Sequence, residues 1–385
     1  MKLPYFALLA FLASASAFLV VYIDSTIAAQ IVGEQYLFPL YALGAGISVF
    51  FFFLAPSIVS RIGNGYFLVS VAAVRGLSLL LIGAGLTGPW GAVALLGHFA
   101  SAALIGFSLD IFFEKATAFE GLTGRARGTI LSMGNLALVI SPIIAGIIVE
   151  RFSYEAIYLI ALFVFCAFLL VAIPHVRSFV DPRYKQLSLI SMKRALLGEN
   201  GAIFFAHFVL RIYYAWMAIL MPLYLHEVLG LSWAQTGIVL SITLLPFFLF
   251  EFPLGKLADS KLREKEILIV GYIVVGLSLF LLSFIPQYSL YLIIACLFVC
   301  RIGAAMVEVA TETNFFRTVR AGDDDAIMLF RVLQPAGFLV GAPLAYLVFK
   351  VTPFVESFML FGIFVLLGVI VSLFVREAPY ETPKP

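Results

Sequence analysis

Apolar residues run in long stretches along nearly the whole chain, broken by short polar or Gly/Pro segments. The stretches lack the alternate-residue polarity of a barrel strand. They match the roughly 20 residues that an α-helix needs to cross about 30 Å of hydrocarbon. The pattern predicts twelve spans, over 5–30, 38–59, 66–86, 92–114, 127–149, 154–174, 201–225, 235–257, 266–285, 289–312, 326–349 and 354–375. A helix satisfies its own backbone in lipid, so the predicted class is an all-α membrane protein.

Composition excludes the soluble alternative. Of 385 residues, 63% are hydrophobic and 12% charged, against roughly 45–50% and about 25% in soluble domains. A net charge of +2 gives no reason to expect a nucleic-acid partner. Cys166, Cys296 and Cys300 lie in apolar runs and read as packing residues, with no metal or cofactor implied. Lys2 and the small residues 13–17 mimic a signal peptide, but the apolar run continues to about Ala29, which favours a first span.

Lys and Arg set the expected orientation. With the N-terminus inside, eighteen fall in inner segments, Arg151 and Lys350 in outer ones, and Arg75, Arg211, Arg301 and Arg331 within spans. Both termini are therefore expected in the cytoplasm, with the chain in the cell inner membrane. The longest polar connection, 175–200, separates six spans from six and reads as a cytoplasmic linker, part of it an amphipathic helix on anionic lipid. The expected organisation is an N-terminal six-helix bundle over 1–174, the linker, a C-terminal bundle over 201–376 and a tail over 377–385.

The halves repeat at an offset near 200 residues. Gly76-Leu77-Ser78-Leu79 matches Gly276-Leu277-Ser278-Leu279, Asp110 and Glu114 match Glu308 and Glu312, and Pro142 matches Pro343. Each match occupies the same span number in its half, and both acidic pairs share a helix face by their i,i+4 spacing. Two pseudo-symmetric bundles of this kind form a common transporter plan.

Several short motifs support a family resemblance. Gly255-Lys256-Leu257-Ala258-Asp259, between spans 8 and 9, is similar to the loop motif of the major facilitator superfamily; the first-half copy at 56–63 keeps Arg61 and Gly63 without the Asp. Glu120-x6-Arg127-Gly128 resembles a pattern of sugar porters. Ser141-Pro142 through Gly146 resembles a span-5 motif of exporters, and Asp24-Ser25-Thr26-Ile27 a signature of drug/proton antiporters. These point to different branches. Together with twelve spans and the six-plus-six repeat, they resemble that superfamily over essentially the whole chain. The resemblance implies a gating role for Asp259 and Arg61, and spans 1, 4, 7 and 10 around a central cavity.

Ionisable groups within spans are costly and mark candidate function. Arg211 and Arg301 fall near mid-depth, where transporter sites lie. Two readings are open: they clamp an anionic group bidentately, or they pair with a carboxylate such as Asp24. Tyr214, Trp216, Asn135 and Gln334 are further candidates to line a substrate site, each with interhelical packing or hydrogen bonding as its plainer reading. Asp24 and His98 are candidates for proton coupling, against a merely hydrogen-bonded role. Asp110, Glu114, Glu308 and Glu312 read as gating or structural carboxylates near the cytoplasmic ends. The partner of Arg75 is not legible.

The expected function is secondary active transport of a small organic solute by alternating access, as symporter or antiporter, coupled to protons, by a monomer in the lipid bilayer. No G-x-x-x-x-G-K-[ST] loop is present for ATP-driven pumping. A membrane-embedded enzyme is disfavoured, because His98, His175, His207 and His226 lack metal-protease spacing. A receptor or assembly factor on a transporter scaffold is the remaining alternative.

Overall fold

The computed structural model describes residues 3–119, 123–176, 193, 195–198, 201–260, 264–318 and 324–376, without the side chains of 3, 114–119, 123–128, 175–176, 252, 256–260 and 324. The helices are α1 (Leu3–Val21), α2 (Asp24–Val32), α3 (Leu37–Ile62), α4 (Asn64–Gly83), α5 (Gly88–Phe119), α6 (Thr123–Arg151), α7 (Tyr154–Val176), α8 (Gly201–Leu223), α9 (Trp233–Ser260), α10 (Glu264–Leu282), α11 (Leu290–Thr318), α12 (Asp324–Phe349) and α13 (Phe354–Leu373). Twelve spans among the described residues are long and apolar enough to cross a membrane. The chain is a multi-pass membrane protein.

One boundary differs from the sequence expectation. The first span is broken at Tyr22-Ile23, where the Ile23 amide donates to the Val20 carbonyl at 2.8 Å and a new helix starts at Asp24. The break places the Asp24 carboxylate in the first turn of α2, where the helix dipole favours negative charge. At the opposite end of the second span, α3 stops at Gly63, whose φ of 83° turns the chain directly into α4.

The packing repeats between halves. In the first, α1 packs on α6 and α7, α4 on α5 and α7, and α3 on α5; in the second, α8 packs on α12 and α13, α10 on α11 and α13, and α9 on α11. These are the same pairs by span number, so the fold is two pseudo-symmetric six-helix bundles. The bundles meet along two seams, α6 against α9 and α3 against α12, with α2 against α8 between them. In α8, 72% of the span is buried, against 33% in α7 and α13. The seventh span is thus central, and the sixth and twelfth are peripheral. Outward apolar side chains such as Phe163, Leu170 and Leu281 are exposed, as a lipid-facing surface requires.

The side of the bundle where α1 begins and α13 ends is called here the termini face, and the other the distal face. At the distal face the seam is tight. A Cβ on Gly146 of α6 would lie 2.2 Å from the Trp233 carbonyl, and one on Gly237 of α9 would lie 2.2 Å from the Pro142 carbonyl. Two small residues therefore let the backbones of the halves touch. The Trp233 indole donates to the Tyr154 hydroxyl at 2.7 Å, and Glu150 accepts from the Ala234 amide at 2.6 Å, capping α9 from the other half.

Candidate functional site at the seam between the halves

Three polar groupings stand near the middle of the bundle. The first lies wholly in the first half. Asp24 accepts from the Tyr158 hydroxyl at 2.7 Å and from His98 Nε2 at 3.3 Å, and all three residues are buried. Arg75, 3% exposed, lies over the Phe165 ring at 5.7 Å, with Nη2 directed at the Ser16 carbonyl at 3.5 Å. Its Nη1, His98 Nδ1, Ser25 Oγ and Thr26 Oγ1 are buried without a protein partner. Buried polar atoms in such positions are ordinarily met by ordered water.

The second grouping spans the halves and is built on one stripe of α11. Glu308 and Glu312, one turn apart, face Arg211 of α8 at 3.5 and 3.9 Å. Arg331 of α12 reaches Glu312 at 3.7 Å and crosses to Asp110 of α5 at 3.1 Å. Tyr214 donates to Glu308 at 2.7 Å. Asn135 of α6 donates to Glu251 of α9 at 2.5 Å, a second crossing. Arg211 Nε donates to His207 Nε2 at 2.9 Å, so that nitrogen is an acceptor. His207 is therefore neutral with its proton on Nδ1, which faces Thr311 Oγ1 at 3.1 Å. Among the described residues the grouping holds four carboxylates and two guanidinium groups.

The third is Arg301, two turns from Glu308 on α11. It is 4% exposed, with its guanidinium over the Tyr213 ring at 5.5 Å and the Phe247 ring at 5.9 Å. Among the described residues no carboxylate lies within 4 Å of it. Tyr22, at the break between α1 and α2, comes within electrostatic reach of it from the first half.

The residues singled out in the sequence therefore separate. Arg211 pairs with Glu308 and Glu312, Asp24 is held by His98 and Tyr158, and Arg301 has no acid beside it among the described residues. The arginine–Asp24 pairing offered as one reading does not form, because Asp24 turns into the first half. Trp216 is buried, its indole donating to the Gly341 carbonyl at 2.7 Å against Phe361 and Phe364. Asn135 contacts Glu251, and Gln334 is exposed on α12. Arg61 is exposed in the last turn of α3. The side chains of Glu114, Arg127 and Asp259 lie outside the described residues, as do Glu120, nearly all of 175–200 and the 377–385 tail. Sequence reasoning did not single out Tyr22, Tyr158 or Phe247, since nothing local distinguishes them from other aromatic residues in spans. Glu251 carries a signal in the sequence, a lone acid in an apolar run.

Residues 203–385 match the profile of the Major Facilitator Superfamily. That match covers the C-terminal half of the chain. Nearly the whole chain superposes on two solved transporters. A solved POT family transporter in complex with a thioalcohol-conjugated peptide aligns with a TM-score of 0.76 at 12% identity, over 96% of this chain and 94% of its own. A variant of the nucleoside transporter NupG aligns with a TM-score of 0.74 at 14% identity, over 97% and 99%. No curated protein matches the sequence. At these identities the two structures establish the shared fold.

Proposed function

We propose that this chain is a member of the major facilitator superfamily and a proton-coupled secondary active transporter that moves a small organic solute by alternating access. In this reading it works as a monomer in the cell inner membrane with both termini cytoplasmic. Arg301 and Arg211 belong to the solute site, and Asp24 with His98 to the proton site. The carboxylates of the seam, with Arg61 and Asp259 at the termini face, serve gating.

The observation that carries the reading is the charge network lying across the seam. Among the described residues four carboxylates and two arginines crowd a partly buried place, and proton binding to a carboxylate there would ease the repulsion between neighbours such as Glu308 and Glu312. The contacts that cross the seam, Arg331 to Asp110 and Asn135 to Glu251, must break for the halves to part at the termini face. The Gly146–Gly237 contact must break for them to part at the distal face. Proton binding and rocking thereby act on the same groups.

The test is proton flux in proteoliposomes carrying internal pyranine, challenged with sugars, organic anions and lipophilic cations. One solute class should acidify or alkalinise the lumen with wild-type protein. Asp24→Asn should lose accumulation driven by a pH gradient and keep solute exchange. Solute movement without any proton flux would remove the coupling. No movement of any class would favour a non-transporting role.

A further inference from the structure

We propose that Arg301 is the anion-binding element of the solute site, that the solute is an organic monocarboxylate with a flat apolar body, and that Tyr22 supplies a second donor from the opposite half. The inference rests on the transporter reading above and adds the chemical class of the solute.

Of the four arginines within spans, three have their charge or position accounted for by protein. Arg211 holds Glu308 and Glu312, and Arg331 holds Asp110 and Glu312. Arg75 is enclosed in the first half against Ser16 and Phe165. Arg301 is as deeply buried as Arg75, yet it lies beside the seam with neither a carboxylate nor a protein hydrogen-bond acceptor among the described residues. A buried cation without a counter-ion is costly in a membrane protein, and such a residue marks a ligand path. The Tyr213 and Phe247 rings offset part of that cost through cation–π attraction. Ring contacts supply no oxygen acceptor to the guanidinium N–H groups, and a planar fork of such donors takes a carboxylate bidentately.

The neighbours narrow the class. Tyr22 is 7% exposed and makes no hydrogen bond among the described residues, and its hydroxyl is not among the sealed polar atoms lacking a partner. It sits where the first span is broken, so an anion held by Tyr22 and Arg301 would join the two halves. One cation balances one negative charge. Glu308 and Glu312 follow Arg301 on α11 by seven and eleven residues, about 10 and 16 Å at 1.5 Å per residue. A second anionic group on the solute would meet their repulsion. Tyr214, half-buried and packed edge-on against Phe247, offers flat apolar surface to the rest of the molecule.

The experiment is calorimetric binding to purified protein with four probes of one shape: benzoate, benzamide, benzylammonium and phthalate. Benzoate is expected to bind, with the other three about tenfold weaker or worse, as loss of a charge-assisted hydrogen bond predicts. Arg301→Gln should abolish the preference for benzoate over benzamide. Tyr22→Phe, a milder change in case Arg301→Gln does not fold, should weaken benzoate several-fold and leave benzamide unchanged. Equal binding of benzoate and benzamide by wild type, unchanged benzoate binding in both variants, or no binding of any probe would each overturn the inference. Binding is read without a gradient. Benzoate held through Arg301 by a protein that moves nothing in proteoliposomes defeats the transporter reading alone. Transport of another class untouched by Arg301→Gln defeats this inference alone.

Discussion

Asn135 of the first half and Glu251 of the second share a hydrogen bond of 2.5 Å across the α6–α9 seam, and among the described residues Glu251 has no cation beside it. Its negative charge is met by an amide alone, while Glu308 and Glu312 have arginines. Glu251→Gln keeps a partner for Asn135 and removes the titrating group. We expect this variant to fold, to lose the dependence of solute uptake on external pH, and to keep exchange. A pH profile of initial uptake rates checks it, and a wild-type profile would take Glu251 out of the coupling.

Arg331 and Asp110 are 3.1 Å apart with side chains 28% and 48% exposed. A pair so accessible contributes under about 1 kcal/mol, which suits a contact that breaks in every cycle. Asp110→Asn should leave the melting temperature nearly unchanged and shift the population towards forms parted at the termini face. Faster maleimide labelling of a cysteine placed at Gln334 would report that shift.

Arg211 is a different case, since its side chain and those of both its carboxylates are largely enclosed. Removing one partner of a buried pair leaves the other uncompensated, at a cost of about 3–5 kcal/mol. Arg211→Gln should therefore lower thermal stability as well as transport. Arg211→Gln combined with Glu308→Gln should recover much of the stability, and a double-mutant cycle of melting curves measures the coupling. Strict additivity would mean the ion pair is not maintained in the membrane.

The backbone contact at Gly146 and Gly237 admits no Cβ without displacement. Gly146→Ala should disfavour the form closed at the distal face. Spin labels at Gln30→Cys on α2 and Glu227→Cys after α8, in a background with Cys166, Cys296 and Cys300 replaced by serine, should move apart relative to the parent. An unchanged distance distribution would show that the contact is not a latch.

Much of the architecture was legible in the chain itself. Twelve spans, the all-α class and the six-plus-six repeat follow from runs of apolar residues, because the demand that lipid places on a backbone is met within each helix and needs no partner. The same reasoning flagged Asp24, His98, Arg211 and Arg301, since an ionisable residue stands out against an apolar run whatever its surroundings. What only the tertiary structure decided was the pairing: Asp24 with His98 and Tyr158, Arg211 with Glu308, Arg331 with Asp110, and Arg301 with two rings and, among the described residues, no acid. A side chain turns by about 100° with each residue along a helix. Which groups meet therefore depends on how each helix is rotated against neighbours far away in sequence, and so does which charge is left without a partner.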